Sequence, residues 1–146
     1  MEVEKLLREF IAFGRDVYRR AIGKRRIGMI STPTMTGTGI ITCELAGELA
    51  KRGNEVHLIA VGRPFLLPRH RNLYFHRVPN EPLYTIRATP FTLTIASKIV
   101  EIVREQRIEL LNVHYALPYS VSAYLAKSIF NAQGQELPII TTVHGT

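Results

Sequence analysis

The amino-acid sequence predicts an α/β protein in which a parallel sheet carries helices on both faces. Short apolar runs that suit buried strands alternate along the chain with longer segments of helical period. Residues 26–48 run from such a strand through a Gly-rich loop into a helix. Polar, small and imidazole residues end or follow three of the predicted strands, at 34–39, 112–115 and 144–146. Because ligands of parallel sheets bind beyond the carboxyl ends of the strands, these three segments are predicted to share one rim.

The first half of the chain gives three strands and one helix. An apolar run predicts a strand over 26–31, and apolar positions of helical period predict a helix over 39–52 that ends at Gly53. The runs EVHLIAV and LYFHRV then predict strands over 55–61 and 73–78. The order strand, helix, strand is the unit from which parallel sheets are built.

The second half repeats this order. A broad apolar face predicts a helix over 91–107, and a nearly continuous apolar run predicts a strand over 109–115. A proline is expected to begin a helix over 118–132, because proline suits the first helical position. The last predicted strand, 137–143, leads directly into residues 144–146.

Residues 1–25 are expected to form an amphipathic helix ahead of a single domain over 26–146. Apolar side chains fall on one broad face of residues 2–22, and charged side chains cover most of the other. This helix is expected to pack on the domain or on a partner subunit, which would include a homo-oligomer formed through it. The alternative is a basic helix lying on an anionic membrane, and membrane association is the less favoured of the two.

The composition narrows the class of protein. A chain of 146 residues suits one domain with a substantial core. Cys43 is the single cysteine, so a disulfide within the chain and a metal site built on thiolates are both excluded. Cys43 is expected to be buried on the first helix, since free cysteines usually are. This cysteine usage fits a reducing compartment, and a cytoplasmic location is predicted.

The charge and hydropathy patterns argue against nucleic-acid and membrane-spanning classes. The net charge is +7, and residues 1–26 hold eight Lys or Arg against four Asp or Glu. The rest of the chain is therefore only mildly basic, and it lacks the basic stripe with interleaved aromatic residues of a nucleic-acid surface. No apolar run approaches the ~18 residues of a membrane span. The scattered charges of the first residues are not those of a signal peptide.

The Gly37-Thr38-Gly39 segment predicts an anion site at the start of the first helix. Glycines let a ligand approach the backbone, and a helix N-terminus offers free N–H groups. A dinucleotide fingerprint is a weaker interpretation, because Thr42 stands where the third glycine belongs. Arg63 after the second strand suits a 2′-phosphate, so an NADP-dependent oxidoreductase stays open as an alternative.

Four histidines fall on or after predicted strands. His57 is expected to pack at a strand edge, and His76 is expected to share one face of its strand with Tyr74. His114 and His144 each end an apolar strand, which places both at the predicted rim. A metal site is not expected there, because no carboxylate or third histidine has suitable spacing to them. No G-x-S-x-G elbow indicates a nucleophilic triad.

An ordered series of motifs carries a family resemblance over residues 26–146. The segments are Pro33-Thr34 to Gly39, ELAGELAKRGNEVHLI, NLYFHRV, TLTIASK, NVHYALPYSVSAYLAK and the closing TTVHGT. Together they resemble the N-terminal domain of family 4 glycosyltransferases, and within that family the members that serve bacillithiol biosynthesis. The resemblance implies the N-terminal half of a GT-B fold, which is a Rossmann-like domain facing a second such domain across a cleft.

The same resemblance implies an activity and its substrates. Family members transfer a sugar from a nucleotide donor with retention of configuration, and they need neither a metal ion nor a cofactor. The expected donor is UDP-N-acetylglucosamine, and the expected acceptor is L-malate, a small hydroxy acid. The N-terminal domain mainly holds the acceptor, and the C-terminal domain mainly holds the donor. That second domain is missing from a chain that ends at residue 146, so this chain is expected to be inactive alone.

Site residues are carried over by position in the motifs. Gly37, Thr38 and Gly39 match the loop near the donor phosphates. Tyr115 matches an acceptor-side residue, and His144 matches the histidine that abuts the transferred sugar and is the expected catalytic residue. Thr146 matches the threonine of the His-Gly-Thr motif and is an expected substrate-binding residue, and Thr36 stands where glycine is common. The malate carboxylates need cationic or N–H partners. No motif selects them, and the candidates are the loop arginines Arg63, Arg69, Arg71 and Arg87.

A second hypothesis comes from a different class of protein. A non-catalytic Rossmann-like module that binds a ligand or takes part in an assembly would carry the same sheet and the same core. Its interaction surface would be the N-terminal amphipathic helix. The residues that follow position 146 would separate the two hypotheses, because only the enzyme requires a second Rossmann pattern there.

Overall fold

The structure is a computed structural model that describes residues 23–32, 37–79 and 90–144. Its strands are β1 (Arg26–Ile30), β2 (Glu55–Ala60), β3 (Leu73–Arg77), β4 (Leu110–His114) and β5 (Ile139–Thr142). Its helices are α1 (Thr38–Lys51), α2 (Phe91–Gln106) and α3 (Val121–Ala132), and a wide helical turn over Ala116–Ser120 precedes α3. The predicted helix of residues 2–22 and the predicted site residue Thr146 lie outside the described residues.

The five strands form one sheet, and every neighbouring pair is parallel. The strand order is β3-β2-β1-β4-β5. β2 and β3 therefore lie on one side of β1, and β4 and β5 lie on the other. Met29 in β1 lies opposite Leu58 on one side and Asn112 on the other. The reversal between β1 and β4 opens a crevice at the carboxyl ends of the strands, where α/β sheets bind ligands. The predicted α/β class with a Rossmann-like parallel sheet is confirmed.

Two cores fill the space between the sheet and its helices. On one face, α1 packs its small residues Cys43, Ala46 and Ala50 against β1 and β2. On the other face, α2 and α3 bury apolar side chains against β1, β2 and β4. The buried side chains of this second core include Ile95, Ile99, Ile102, Val103, Ala123, Ala126 and Phe130. Burial raises the pKa of the Cys43 thiol, and Cys43 is the buried helical residue that the sequence predicted.

One sequence-based expectation was wrong. His57 was expected at a strand edge, but β2 is an inner strand and His57 is only 1% exposed. Proline was expected to begin the last helix, and the backbone is indeed helical from Pro118 onward, through Ser120 and into α3. The residue before Pro118 has an extended backbone (φ −120°, ψ 136°), which is the conformation that a following proline favours. His76 and Tyr74 share a face as predicted, since both rings stack on His57.

Candidate functional site

The crevice between β1 and β4 gathers residues from three separate parts of the chain. Gly37 precedes α1, Tyr115 follows β4, and His144 follows β5. The hydroxyl of Thr38 donates a hydrogen bond of 2.8 Å to the phenol oxygen of Tyr115. The rings of Tyr115 and His144 have centroids 5.4 Å apart and are tilted by 55°. The structure therefore brings together the predicted site residues that it describes.

The start of α1 leaves backbone donors open. Gly37 has φ 54° and ψ −115°, and no side chain caps the helix. The first helical bond runs from the Ile41 N–H to the Gly37 carbonyl (3.2 Å), so the amides of Thr38, Gly39 and Ile40 lack acceptors within the helix. Among the residues that the structure describes, apart from its chain neighbours, none has an atom within 4 Å of a Cβ built on Gly37. Such an end attracts anions.

Tyr115 is held in an uncommon backbone conformation. Its φ is 78°, a value that side-chain-bearing residues rarely adopt and that costs on the order of 1–3 kcal/mol. Its N–H donates to the Thr142 carbonyl (3.1 Å), and its carbonyl accepts from the Ser120 hydroxyl (2.9 Å). These two bonds fix the backbone on both sides of the ring. The phenol is thereby aimed at the start of α1, where it meets Thr38.

His114 and His144 form a hydrogen-bonded pair at the rim. His114 Nδ1 lies 2.9 Å from His144 Nε2, and the rings stack with centroids 5.2 Å apart. His114 is 1% exposed, whereas His144 is partly exposed. Burial is the main cause that lowers the pKa of His114 below its ordinary value, and the charge of His144 lowers it further. His114 is therefore neutral at physiological pH.

Two buried polar atoms, one in the pair itself and one two residues before it on β4, have no hydrogen-bond partner among the described residues. They are Asn112 Oδ1 and His114 Nε2. Both residues lie on the face of β4 that α1 covers, because side chains alternate along a strand and Leu111 and Val113 pack on the other face. Unsatisfied buried polar atoms are uncommon in proteins, and each one calls for an explanation.

The sequence missed the contact between the two histidines. It placed both residues at the rim but gave a role to His144 alone. The signal was the pairing of β4 with β5, which sets His114 opposite Thr142, the last residue of β5. His144 then comes two residues after the end of that strand. The order of the strands in the sheet was needed to recognise that pairing.

The loop arginines occupy different places. The Arg63 guanidinium sits 5.8 Å above the Phe75 ring, on the face of the sheet that α1 covers. Arg71 lines a surface depression with Lys24 and Glu55, next to the amino ends of β1, β2 and β3. Arg71 therefore lies at the edge of the sheet opposite the rim, where it is too distant to contact a ligand at His144. Arg87 lies outside the described residues.

A second histidine pair lies on the opposite face of the sheet. His57 Nδ1 is 2.8 Å from His76 Nε2, and His57 Nε2 is 2.9 Å from a carboxylate oxygen of Glu55. Burial is the main cause that lowers the pKa of His76 to about 4, and the charges of His57 and Lys98 add to it. These side chains face α2 rather than the crevice.

Other features of the described residues bear on the kind of site. Across 23–32, 37–79 and 90–144, no three His, Cys, Asp or Glu side chains converge in a way that would hold a metal ion. Over the same ranges, no helix has both the length and the hydropathy to span a bilayer. Thr42 stands where a dinucleotide fingerprint has its third glycine. Its side chain is buried, and its hydroxyl donates a hydrogen bond to the Thr38 carbonyl (2.7 Å).

Comparison with known proteins gives consistent results. The model of glycosyltransferase family 4 matches residues 35–146. N-acetyl-alpha-D-glucosaminyl L-malate synthase from Bacillus anthracis is 39% identical over 124 residues, a match that covers 84% of this chain and 32% of that protein. The chain thus spans about a third of that relative's length. The crystal structure of a glycosyltransferase from Rickettsia africae matches with a TM-score of 0.60 at 21% identity, over 85% of this chain and 31% of the other, and so shows the shared fold.

Proposed function

Because this chain belongs to glycosyltransferase family 4, we propose that it is the acceptor-side domain of an enzyme that transfers N-acetylglucosamine from UDP-N-acetylglucosamine to L-malate. The transfer retains the configuration at the sugar carbon. The transferred sugar and the acceptor are taken from the name of the Bacillus anthracis relative. The UDP donor is what the motif resemblance of this chain to the family implies. A cytoplasmic location goes with these two soluble substrates.

One observation supports this proposal more than any other. At the crevice between β1 and β4, Thr38 bonds Tyr115 and the Tyr115 ring contacts His144. A helix start with open amides, a phenol and an imidazole therefore face one space. These groups suit a ligand with a phosphate at one end and hydroxyl groups at the other, as a nucleotide sugar has.

Each group has a task in the proposed transfer. The bond between the sugar carbon and the diphosphate oxygen breaks, the malate hydroxyl oxygen bonds the sugar carbon, and the hydroxyl proton is released. Negative charge develops on the departing diphosphate, and the amides at the start of α1 stabilise it because they are already oriented. His144 holds a sugar hydroxyl, and Tyr115 lines the acceptor side.

Binding of the separate ligands tests the site. We would titrate UDP-N-acetylglucosamine, L-malate and inorganic phosphate into the chain and follow backbone amide shifts by NMR. Shifts at Thr38, Gly39 and His144 are expected, with weak affinity because only one side of the cleft surrounds the ligand. Shifts confined to residues 63–71 would instead indicate a merely electrostatic contact with the loop arginines and would refute the site.

A transfer assay tests the enzyme proposal. A protein of these 146 residues alone is expected to give no transfer from UDP-N-acetylglucosamine to L-malate, because it spans only about a third of the length of the Bacillus anthracis relative. A protein extended past residue 146 to the length of the Bacillus anthracis relative is expected to give transfer. If neither protein transfers the sugar to malate while amide shifts still occur at the rim, the site binds ligands and the proposed reaction is wrong.

A further inference from the structure

We propose that His114 is a positioning residue that fixes the tautomer of His144, so that His144 meets its ligand as a hydrogen-bond donor through Nδ1–H. The relevance of this inference to catalysis rests on the proposed function, but the tautomer itself does not. The geometry behind it is the 2.9 Å contact between His114 Nδ1 and His144 Nε2. That contact occupies one ring nitrogen of each residue.

Only two arrangements of a neutral pair satisfy this contact, because one nitrogen donates and the other accepts. In the first, His114 Nδ1–H donates to His144 Nε2, and His114 Nε2 is a bare lone pair. In the second, His144 Nε2–H donates to His114 Nδ1, and His114 Nε2 carries a hydrogen. The two arrangements place the proton of His144 on opposite sides of its ring.

The surroundings of His114 Nε2 favour the first arrangement. This atom is buried and has no partner among the described residues. A buried N–H without an acceptor is rarer in proteins than a lone pair without a donor. Asn112 Oδ1 lies on the same face of β4, two residues away, and it is also buried without a partner.

The charge state of the pair agrees with this assignment. Burial lowers the pKa of His114, so at neutral pH this ring carries a single N–H. With that hydrogen on Nδ1, His144 Nε2 can only accept, and a neutral His144 keeps its own hydrogen on Nδ1. No described residue forms a hydrogen bond with His144 Nδ1, and this nitrogen is not among the buried polar atoms. It is the nitrogen that a ligand reaches.

The assignment restricts what His144 does. A ring whose Nε2 lone pair is engaged and whose Nδ1 carries hydrogen has no free lone pair, so it cannot take a proton from the acceptor hydroxyl. It can donate to an oxygen, which suits a sugar hydroxyl or a phosphate oxygen. His144 therefore orients the ligand, and the proton of malate leaves by another route.

Ring nitrogen chemical shifts test the tautomer directly. We would record long-range ¹H–¹⁵N correlations of the histidine rings at about pH 8.5, where a ring with an ordinary pKa near 6.5 is neutral. His144 is expected to show a protonated, pyrrole-type Nδ1 and a bare, pyridine-type Nε2, and His114 is expected to show the same pattern. A coupling through the hydrogen bond between His114 Nδ1 and His144 Nε2 should also appear. A pyrrole-type Nε2 on His144 would overturn the proposal.

A pair of matched variants tests the role of His114. His114→Phe removes the donor, and His144 is expected to shift to the Nε2–H tautomer that free histidine favours in water. His57→Phe is the control, because His57 is equally buried and also contacts another histidine through Nδ1, on the opposite face of the sheet. The control should leave the His144 shifts unchanged. An unchanged His144 in folded His114→Phe would refute the positioning role.

These outcomes stay separate from the proposed function. None of the ring measurements needs a ligand, so they stand even if the chain binds no nucleotide sugar. If His114→Phe does not fold, as judged by its amide spectrum, the coupling through the hydrogen bond in the unaltered protein decides the direction of donation. A separate titration with UDP-N-acetylglucosamine measures whether the Nδ1–H signal of His144 moves on binding, which tests the proposed function and not the tautomer.

Discussion

Thr38 and Tyr115 join the two sides of the rim through one hydrogen bond between residues 77 positions apart in the chain. Thr38 is 5% exposed at the start of α1, and Tyr115 is partly buried after β4. A hydrogen bond between neutral groups contributes about 1 kcal/mol to folding. This one also fixes the separation between the helix start and the strand end, so it shapes the crevice before any ligand arrives.

We expect Thr38→Val and Tyr115→Phe each to lower the free energy of unfolding by about 1 kcal/mol. The double variant should lose little more than one single variant, because either change already breaks the bond. Denaturant unfolding of the four proteins measures this coupling. Tyr124→Phe, on a ring that is 66% exposed, is the control and should change nothing. Strictly additive losses at Thr38 and Tyr115 would contradict the bond.

At the residue scale, the sequence predicted which segments meet but not which atoms bond. The carboxyl ends of parallel strands always share an edge, which is why Gly37, Tyr115 and His144 were expected near one another. The bond between Thr38 and Tyr115 depends on a φ of 78° at Tyr115, and no propensity predicts such a value. The roles of these residues toward a substrate stay predictions.

At the scale of single elements, the start of α1 is the feature on which the site depends most. Its backbone at Gly37 has φ 54° and ψ −115°, a combination that residues with a Cβ strongly avoid. No described residue other than its chain neighbours comes within 4 Å of a Cβ built there, so among the described residues the backbone conformation, and not crowding, requires glycine. The open amides of α1 keep their direction only while this turn is kept.

We expect Gly37→Ala to lower the free energy of unfolding by roughly 1–3 kcal/mol and to weaken the amide shifts that UDP-N-acetylglucosamine causes at Thr38 and Gly39. Gly134→Ala is the matched control, since Gly134 also has a positive φ (71°) with nothing within 4 Å of its Cβ position. Gly134 lies between the end of α3 and the amino end of β5, at the edge of the sheet opposite the rim, so the substitution should cost stability and leave binding unchanged. Equal binding by both variants would contradict the role of the Gly37 turn.

The elements themselves were largely predictable, and their ends were less so. Predicted strands over 55–61 and 73–78 correspond to Glu55–Ala60 and Leu73–Arg77, because hydrophobic period is a strong signal within an element. The predicted start at position 118 agrees with the backbone, which is extended at Leu117 and helical from Pro118 onward. The regular α-helical part, α3, begins three residues later at Val121.

For the whole molecule, the alternation of strands and helices was enough to predict the class of fold. The order β3-β2-β1-β4-β5 was not predicted from residue pattern, because pattern shows that strands are buried but not which strands are neighbours. The position of His57 shows the consequence. Its strand was recognised, but only the order of the strands reveals that β2 is an inner strand that buries a histidine fully.

Two histidines, one half-buried and one buried, and a hydrogen-bonded carboxylate give the molecule a common response to acid. The pKa of His76 is lowered to about 4, and the pKa of His114 is also lowered, in both cases chiefly by burial. The pKa of Glu109 is lowered chiefly because the Arg26 amide donates a hydrogen bond to its carboxylate. In each case the unfolded chain binds a proton more readily than the folded protein does.

We therefore expect the folded protein to lose stability as the pH falls. For His76, the folded-state pKa of about 4 lies below an unfolded value near 6.5, so its contribution is complete above that value and is lost as the pH falls toward 4. The difference between the two values sets an upper bound of roughly 3 kcal/mol. Urea unfolding between about pH 4 and pH 8 measures the curve. In His76→Gln, whose amide can replace Nε2 beside His57, the decline on the acid side should be shallower, and a curve parallel to that of the unaltered protein would show that His76 does not carry the response.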